Sequence, residues 1–259
     1  MLVDSHCHLD YFTQPGEQDE VVARAKAAGV GEMVTIGVTL SQSKEAIQIA
    51  EHFENVWACI GVHPNHAADV LPVVEPEVLA NLAGHPKVIG IGESGLDYFY
   101  DKAPKDVQAQ NFRANIRAAR LAGLPICIHA RDADEDIIKI LHEEREGGHF
   151  DFLLHCFSSS RQLAEAAIEL GGYFSFSGIL TFPKGDSVRE VAAIVPEDRL
   201  LVETDSPYLA PTPYRGKRNE PAYTAYTAKR LAELHGMSEA DMAALTTRNF
   251  RLLFKKAIK

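Results

Sequence analysis

The chain has 259 residues, 46% hydrophobic and 24% charged, with no low-complexity tract or linker-like segment, so one folded domain over 1–259 with a sizeable core is expected. Lys and Arg number 26 against 36 Asp and Glu; the net charge of −10 argues against bulk attraction to nucleic acid or acidic membranes, and any polyanion must be met locally. With no apolar run of about 18 residues and no signal-peptide pattern at the start, a cytoplasmic monomer without a membrane partner is expected.

Residues 2–8 read as a first strand, and within it the stretch H-C-H is notable. Successive side chains of an extended chain point to opposite faces, so His6 and His8 should project to one side and Cys7 to the other. Two adjacent imidazoles suit a metal ion. A helix over 17–28 closes on Gly29 and leads to a strand over 33–38. A helix over 41–53 with Ser41 as N-cap precedes a strand over 56–62 that runs into His63. Next come a helix over 75–82, a strand over 88–93 ending at Glu93, and a helix over 104–122 closed by Gly123. Strands over 125–129 and 152–155 end at His129 and His155, with a helix over 134–144 between them. A helix over 161–169, capped by Ser160 and closed by Gly171, leads to a strand over 173–177. A helix over 187–194 and a strand over 200–205, carrying Glu203 and Asp205, precede a helix over 222–235. Helices over 238–246 and 248–257 are expected as extra elements packed outside. Eight strands alternating with helices predict an α/β fold, a single (β/α)8 TIM barrel with extra C-terminal helices. A doubly wound open sheet would instead call for a glycine-rich phosphate loop after the first strand, where H-C-H-L-D stands. Cys7, Cys59, Cys127 and Cys156 form no C-x-x-C pair and are expected to be reduced thiols in strand-like runs.

In such a barrel the chemistry sits at the C-terminal ends of the strands. Those ends supply His6, His8, His63, Glu93, His129, His155, Glu203 and Asp205. Taken singly, His129 reads as a buried, hydrogen-bonded histidine and Asp205 before Ser-Pro as a turn residue. Together, so many ionisable groups at one barrel mouth require a counter-charge, which divalent cations provide while coordinating neutral imidazoles.

The ordered motifs D-S-H-C-H-L-D, I-G-V-H-P, I-G-E-S-G-L-D-Y, Q-x-x-x-F at Gln108 to Phe112, L-P-I-C-I-H-A-R, L-L-H-C-F-S, S-F-S-G, L-L-V-E-T-D-S-P-Y-L-A-P and R-G-K-R-N-E-P run from end to end. With them the chain resembles the TatD family of metal-dependent hydrolases, within the amidohydrolase-like barrel superfamily. The resemblance implies a two-metal centre: His6, His8, Glu93 and Asp205 around one divalent ion, and Glu93, His129 and His155 around the other, with Glu93 bridging. It also implies a deoxyribonuclease acting from the 3′ end on single strands, with RNA as a further substrate. Magnesium or manganese would be the ions in use, with zinc suited to the same donors. Paired ions hold the attacking and leaving oxygens of a phosphodiester, and a metal-activated water would be the nucleophile.

Asp205 is a candidate general base. Glu203, two residues earlier on the strand, is either a partner that orients a ligand or a buried carboxylate paired with an Arg. His63 resembles the family's histidine near the scissile group; its alternative is a structural role before Pro64. For a polyanionic strand, Arg215, Lys217 and Arg218 should overhang the mouth with Tyr214 stacking on a base, and Arg131 is a further substrate-binding candidate. Lys102, Lys105 and Lys184 are weaker ones. One departure from the family pattern is Ser159, where glycine is frequent. Two rivals stand: a two-metal hydrolase of a small ester, amide or phosphotriester, many of which bridge their metals with a carbamylated lysine where this chain has Glu93; and a non-catalytic, metal-stabilised binding protein, disfavoured by the complete ligand set.

Overall fold

Short apolar runs separated by amphipathic segments fold here into alternating strands and helices, as seen in a computed structural model that describes residues 1–257. The strands are β1 (Leu2–Cys7), β2 (Val30–Gly37), β3 (Val56–Ile60), β4 (Val88–Asp97), β5 (Ile126–Arg131), β6 (Phe152–Leu154), β7 (Tyr173–Phe176) and β8 (Leu200–Val202). The α-helices are α1 (Glu17–Ala27), α2 (Leu40–His52), α3 (Pro76–Leu82), α4 (Lys105–Ala122), α5 (Asp134–Glu146), α6 (Arg161–Glu169), α7 (Asp186–Ala192), α8 (Thr224–His235) and α9 (Glu239–Leu253). The strands form one parallel sheet in the order β1 to β8. The circle is completed beyond β8: Cys7 bridges to Ser206, the Asp205 amide donates to the His6 carbonyl at 2.9 Å, and the His8 amide donates to the Ser206 carbonyl at 2.8 Å. This is the expected (β/α)8 barrel.

Two core layers follow from strand alternation. One face of each strand packs under the helices; the other fills the barrel, where Val34, Trp57, Cys127, Leu153, Tyr173 and Leu201 meet. The inward parity continues upward from Cys127 to His129, from Leu153 to His155, and from Leu201 to Glu203 and Asp205, so the same alternation that fills the core aims these polar groups at the mouth. On β1 an irregularity between Asp4 and Cys7 shifts the parity. Cys7 therefore packs outward, its thiol on the Val34 carbonyl at 3.3 Å, while His6 turns into the barrel.

Several boundaries differ from expectation. β6 and β8 stop early, so His155, Glu203 and Asp205 sit on the segments just past them, whereas β4 continues four residues beyond Glu93 to Asp97. Cys156 likewise lies just past its strand. Helix α2 is capped by Thr39 and not by Ser41: Thr39 is extended and its hydroxyl accepts the Gln42 amide, which leaves Ser41 inside the first turn. The Ser160 cap is present on α6.

The two expected C-terminal helices are one, α9, followed by a 3₁₀ turn at Lys255–Ala257. The polar stretch at its middle does not break it, because the Thr246 hydroxyl folds back onto the Met242 carbonyl and the Asn249 amide donates to the Glu197 and Leu200 carbonyls beside β8. Nor does it pack outside: Phe250, Leu253 and Phe254 join the inner layer and close the bottom of the barrel. No helix among the described residues is long and apolar enough to cross a membrane.

Candidate metal centre

Glu93 stands at the middle of the mouth because β4 lies very close to β5 on either side of it. Gly92 and Gly95 have φ of +123° and +144°, and a Cβ on them would stand 2.4 Å from the Cys127 carbonyl oxygen and 2.0 Å from that of His129. Only glycine permits that approach. The buried Glu93 carboxylate then faces two ways. Its Oε2 lies 3.4 Å from His6 Nε2 and 4.0 Å from His8 Nε2. Its Oε1 lies 2.7 Å from His155 Nε2, 3.0 Å from His129 Nδ1 and 3.4 Å from His63 Nε2. Asp205 Oδ1 completes the first group, 3.5 Å from His8 Nε2 and 3.7 Å from His6 Nε2. The structure thus brings together all the residues expected to bind metal.

Behind these groups stand partners that fix their orientation. His129 donates from Nε2 to Asp97 Oδ2 at 3.1 Å, leaving Nδ1 aimed at Glu93. His155 donates from Nδ1 to Glu203 Oε1 at 3.4 Å, and Glu203 in turn accepts the Ser175 hydroxyl. Glu203 is fully buried and its ion-pair partner is this imidazole; no Arg among the described residues pairs with it. His63 Nδ1 accepts the Asn65 amide at 3.0 Å, which puts the ring proton of the neutral form on Nε2, facing the centre. His6 stacks on His155 with centroids 3.9 Å apart. The Asp4 carboxylate accepts the Thr204 amide and hydroxyl and so ties the Asp205 segment to β1. Asp205 itself has φ of +55°, a left-handed conformation that aspartate tolerates better than most residues.

The charges agree with a cation site. Burial alone would raise Glu93, but the facing His155 and His63 rings hold it well below the usual carboxylate range. Burial also opposes ionisation of Asp205, yet its bond to His8 and the nearby His6 and His155 keep it low. Burial would lower His155, and the charges of Glu93 and Glu203 override it and raise the ring well above an ordinary histidine. Burial lowers His6 and His63. Every ion-pair partner of Glu93, Asp97, Glu203 and Asp205 among the described residues is an imidazole. In addition, His6 Nε2, which faces Glu93 and Asp205, is buried with no hydrogen-bond partner. An orphaned imidazole nitrogen beside buried carboxylates is what a bound cation would satisfy. The ligand atoms of His6, His8 and Glu93, those of His63, Glu93 and His129, and those of His6, His155 and Glu203 lie close enough within each set to share an ion.

Above the centre opens a cavity of about 1150 Å³. Arg131 and Lys105 line it, the first with its guanidinium 4.1 Å over the Phe99 ring and the second 4.0 Å over Tyr98. Tyr214, Arg215, Lys217 and Arg218 do not line it, contrary to expectation, and neither do Lys102 and Lys184. The loop is braced elsewhere: Tyr214 stacks on Tyr223 at 4.1 Å, Arg215 lies 3.6 Å over Phe182, and Arg218 pairs with Glu17 at 2.7 Å. Lys217 is exposed, 5.9 Å from the Tyr214 ring. Ser159 lines the cavity without a left-handed backbone, its hydroxyl on the Ala130 carbonyl at 3.3 Å, so serine is unstrained there. Two features were missed from the sequence. Asp97 had a usable signal, since it stands four residues after Glu93 on one strand. Tyr11 and Tyr208, which flank His8, had none.

Comparison with known proteins agrees with this fold. A family model described as TatD related DNase matches residues 3–255. The uncharacterized metal-dependent hydrolase YabD of Bacillus subtilis (strain 168) is 41% identical over 260 residues, covering 98% of this chain and 99% of that protein. The 3′-5′ ssDNA/RNA exonuclease TatD of Salmonella typhimurium is 36% identical over 247 residues, covering 92% and 93%. The crystal structure of YJJV, a TatD homologue from Escherichia coli K12, matches with a TM-score of 0.90 at 27% identity and 98% coverage of both chains.

Proposed function

The chain belongs to the TatD related DNase family and is a metal-dependent hydrolase, and from that premise we propose that it cleaves phosphodiester bonds at the ends of single-stranded DNA, from 3′ to 5′, with RNA as a further substrate. The observation that carries this reading is the division of one carboxylate: Glu93 Oε2 faces His6, His8 and Asp205, while Oε1 faces His129, His155 and His63. On this reading His6, His8, Glu93 and Asp205 hold one divalent ion and Glu93, His129 and His155 a second, with magnesium or manganese in use and zinc compatible with the donors. When bound, such a pair supplies Lewis acidity and the positive charge that an anionic phosphodiester needs at both its attacking and leaving oxygens.

The protein groups have separate tasks. Asp205, ionised and with 16% of its side chain open to the cavity, takes the proton of the attacking water. His63, neutral by burial and protonated at Nε2, donates to the departing or a non-bridging oxygen. Asp97 and Glu203 keep His129 and His155 in one orientation and one protonation state. Arg131 and Lys105 receive the phosphate of the incoming strand. Arg215, Lys217, Arg218 and Tyr214, outside the cavity, would meet only a longer strand beyond its first nucleotides. The centre lies deep among buried ligands, so a single strand end reaches it more readily than an intact duplex. A cytoplasmic monomer is the setting proposed for this activity.

The test is turnover by pure protein of a labelled single-stranded oligonucleotide, a blunt duplex and p-nitrophenyl esters and phosphodiesters. Each substrate is assayed with magnesium, with manganese and with chelator, alongside metal analysis of the protein. Shortening of the single strand from its 3′ end, abolished by chelator, is expected. Duplex cut as fast as single strand, or ester turnover without nuclease activity, would overturn the reading.

A further inference from the structure

Phe99 and Tyr100, on the turn that follows β4, leave 56% and 50% of their surface exposed at the barrel mouth. Contiguous exposed apolar surface rimmed by polar residues marks sites of interaction. These two are held firmly. Their rings meet edge to face at 5.0 Å, and the Arg131 guanidinium lies 4.1 Å from one ring centre and 4.8 Å from the other. Their backbone amides both donate, at 3.0 Å, to Asp97 Oδ1, whose other oxygen accepts His129 Nε2–H at 3.1 Å. One carboxylate therefore orients a candidate metal ligand and pins the aromatic turn at a fixed distance from it.

The surrounding charge selects what can sit there. Tyr98, Tyr100, Arg131 and Lys105 line the cavity together, so these rings and the lining cations lie side by side, whereas Tyr11 and Tyr208 line it beside His8 with no lining cation among them. The adjoining rim carries Asp132, Asp134 and Glu135, which repel an anionic backbone. A strand drawn in by Arg131 and Lys105 passes over the Phe99 and Tyr100 rings, with phosphate toward the two cations and a base toward the rings. Bases stack on aromatic faces and on guanidinium planes.

We propose that Phe99, Tyr100 and Arg131 form a stacking site for the terminal base of a single strand, held in register with the metal centre by Asp97. This rests on the nuclease reading above, and the experiment separates the two. A single strand with 2-aminopurine at either end, behind a phosphorothioate linkage that slows cleavage, is titrated into the metal-loaded protein. Stacking quenches its fluorescence. The expected result is quenching by the native protein, affinity weakened about tenfold or more in the double variant Phe99→Ala/Tyr100→Ala, and recovery in Tyr100→Phe, which keeps the ring. In parallel, the ratio of kcat/KM for a strand with a normal terminal base to that for one with an abasic terminus should fall toward one in the double variant. A double variant that binds and quenches like the native protein overturns the stacking site even if it cleaves DNA. A native protein that quenches the probe but cleaves no strand supports the site and removes the exonuclease reading instead.

Discussion

Asp205 shows how much one residue's setting decides. Its φ of +55° and the contacts of its Oδ1 with His8 and His6 place an ionised carboxylate at the edge of the centre. The prediction for Asp205→Asn is a fall in kcat of about 10²- to 10⁴-fold with an unchanged circular dichroism spectrum; near-native turnover would exclude it from the chemistry. His155 yields a prediction about pH. In the ion-free protein its raised affinity for a proton stabilises the fold fully below the unfolded value of about 6.5, and that contribution is lost as the pH climbs through the raised value. Asp4, which burial raises to about 8 against the lowering by Thr204, acts in the same direction, being protonated in the fold and ionised in the unfolded chain. The thermal midpoint of chelated protein should therefore drop between about pH 6 and about pH 8. With manganese it should rise, because the imidazoles must be neutral to bind an ion. Midpoints that move together in both conditions would contradict this assignment.

At the level of elements, the barrel depends on pieces that look peripheral in the chain. Phe254, 1% exposed and packed against Phe250 at 4.8 Å with the two rings tilted by 37°, fills the bottom opening together with the inward residues of the strands. Phe254→Ala should cost about 3–5 kcal/mol in urea unfolding, and a loss under about 1 kcal/mol would mean that α9 packs outside after all. Gly95→Ala tests the other end. Its φ of +144° and the 2.0 Å approach to the His129 carbonyl mean that β4 and β5 must part, at about 1–3 kcal/mol for the conformation alone. Metal content should fall with it, as Glu93 and His129 separate; an Ala variant with native stability and metal content would refute the close approach. Period-two alternation made the strands and their inward faces legible, because it is local. The merging of α9 was not legible, since what keeps Thr246 and Asn249 helical is a back-bonded hydroxyl and two carbonyls near residues 197 and 200.

For the whole molecule, a net charge of −10 and a cavity lined by Arg131 and Lys105 predict weak, salt-tolerant binding of a short strand end. Two neutralised phosphates give a slope of log K against log salt of about −1.4. A slope of about −3.5, the value for five neutralised phosphates, would mean that Arg215, Lys217 and Arg218 also engage the strand. The sequence by itself determined the barrel and the imidazoles and carboxylates that gather at its mouth, though not which of the basic residues line the cavity, because strand periodicity and the placement of polar groups at strand ends are properties of neighbouring residues. Tertiary structure alone decided that the Asp97 carboxylate stands behind His129 and pins the Phe99–Tyr100 turn, and that Arg218 turns away to Glu17, some 200 residues earlier. Each of these ion pairs depends on which distant side chain closure of the sheet sets opposite, and no local pattern encodes that.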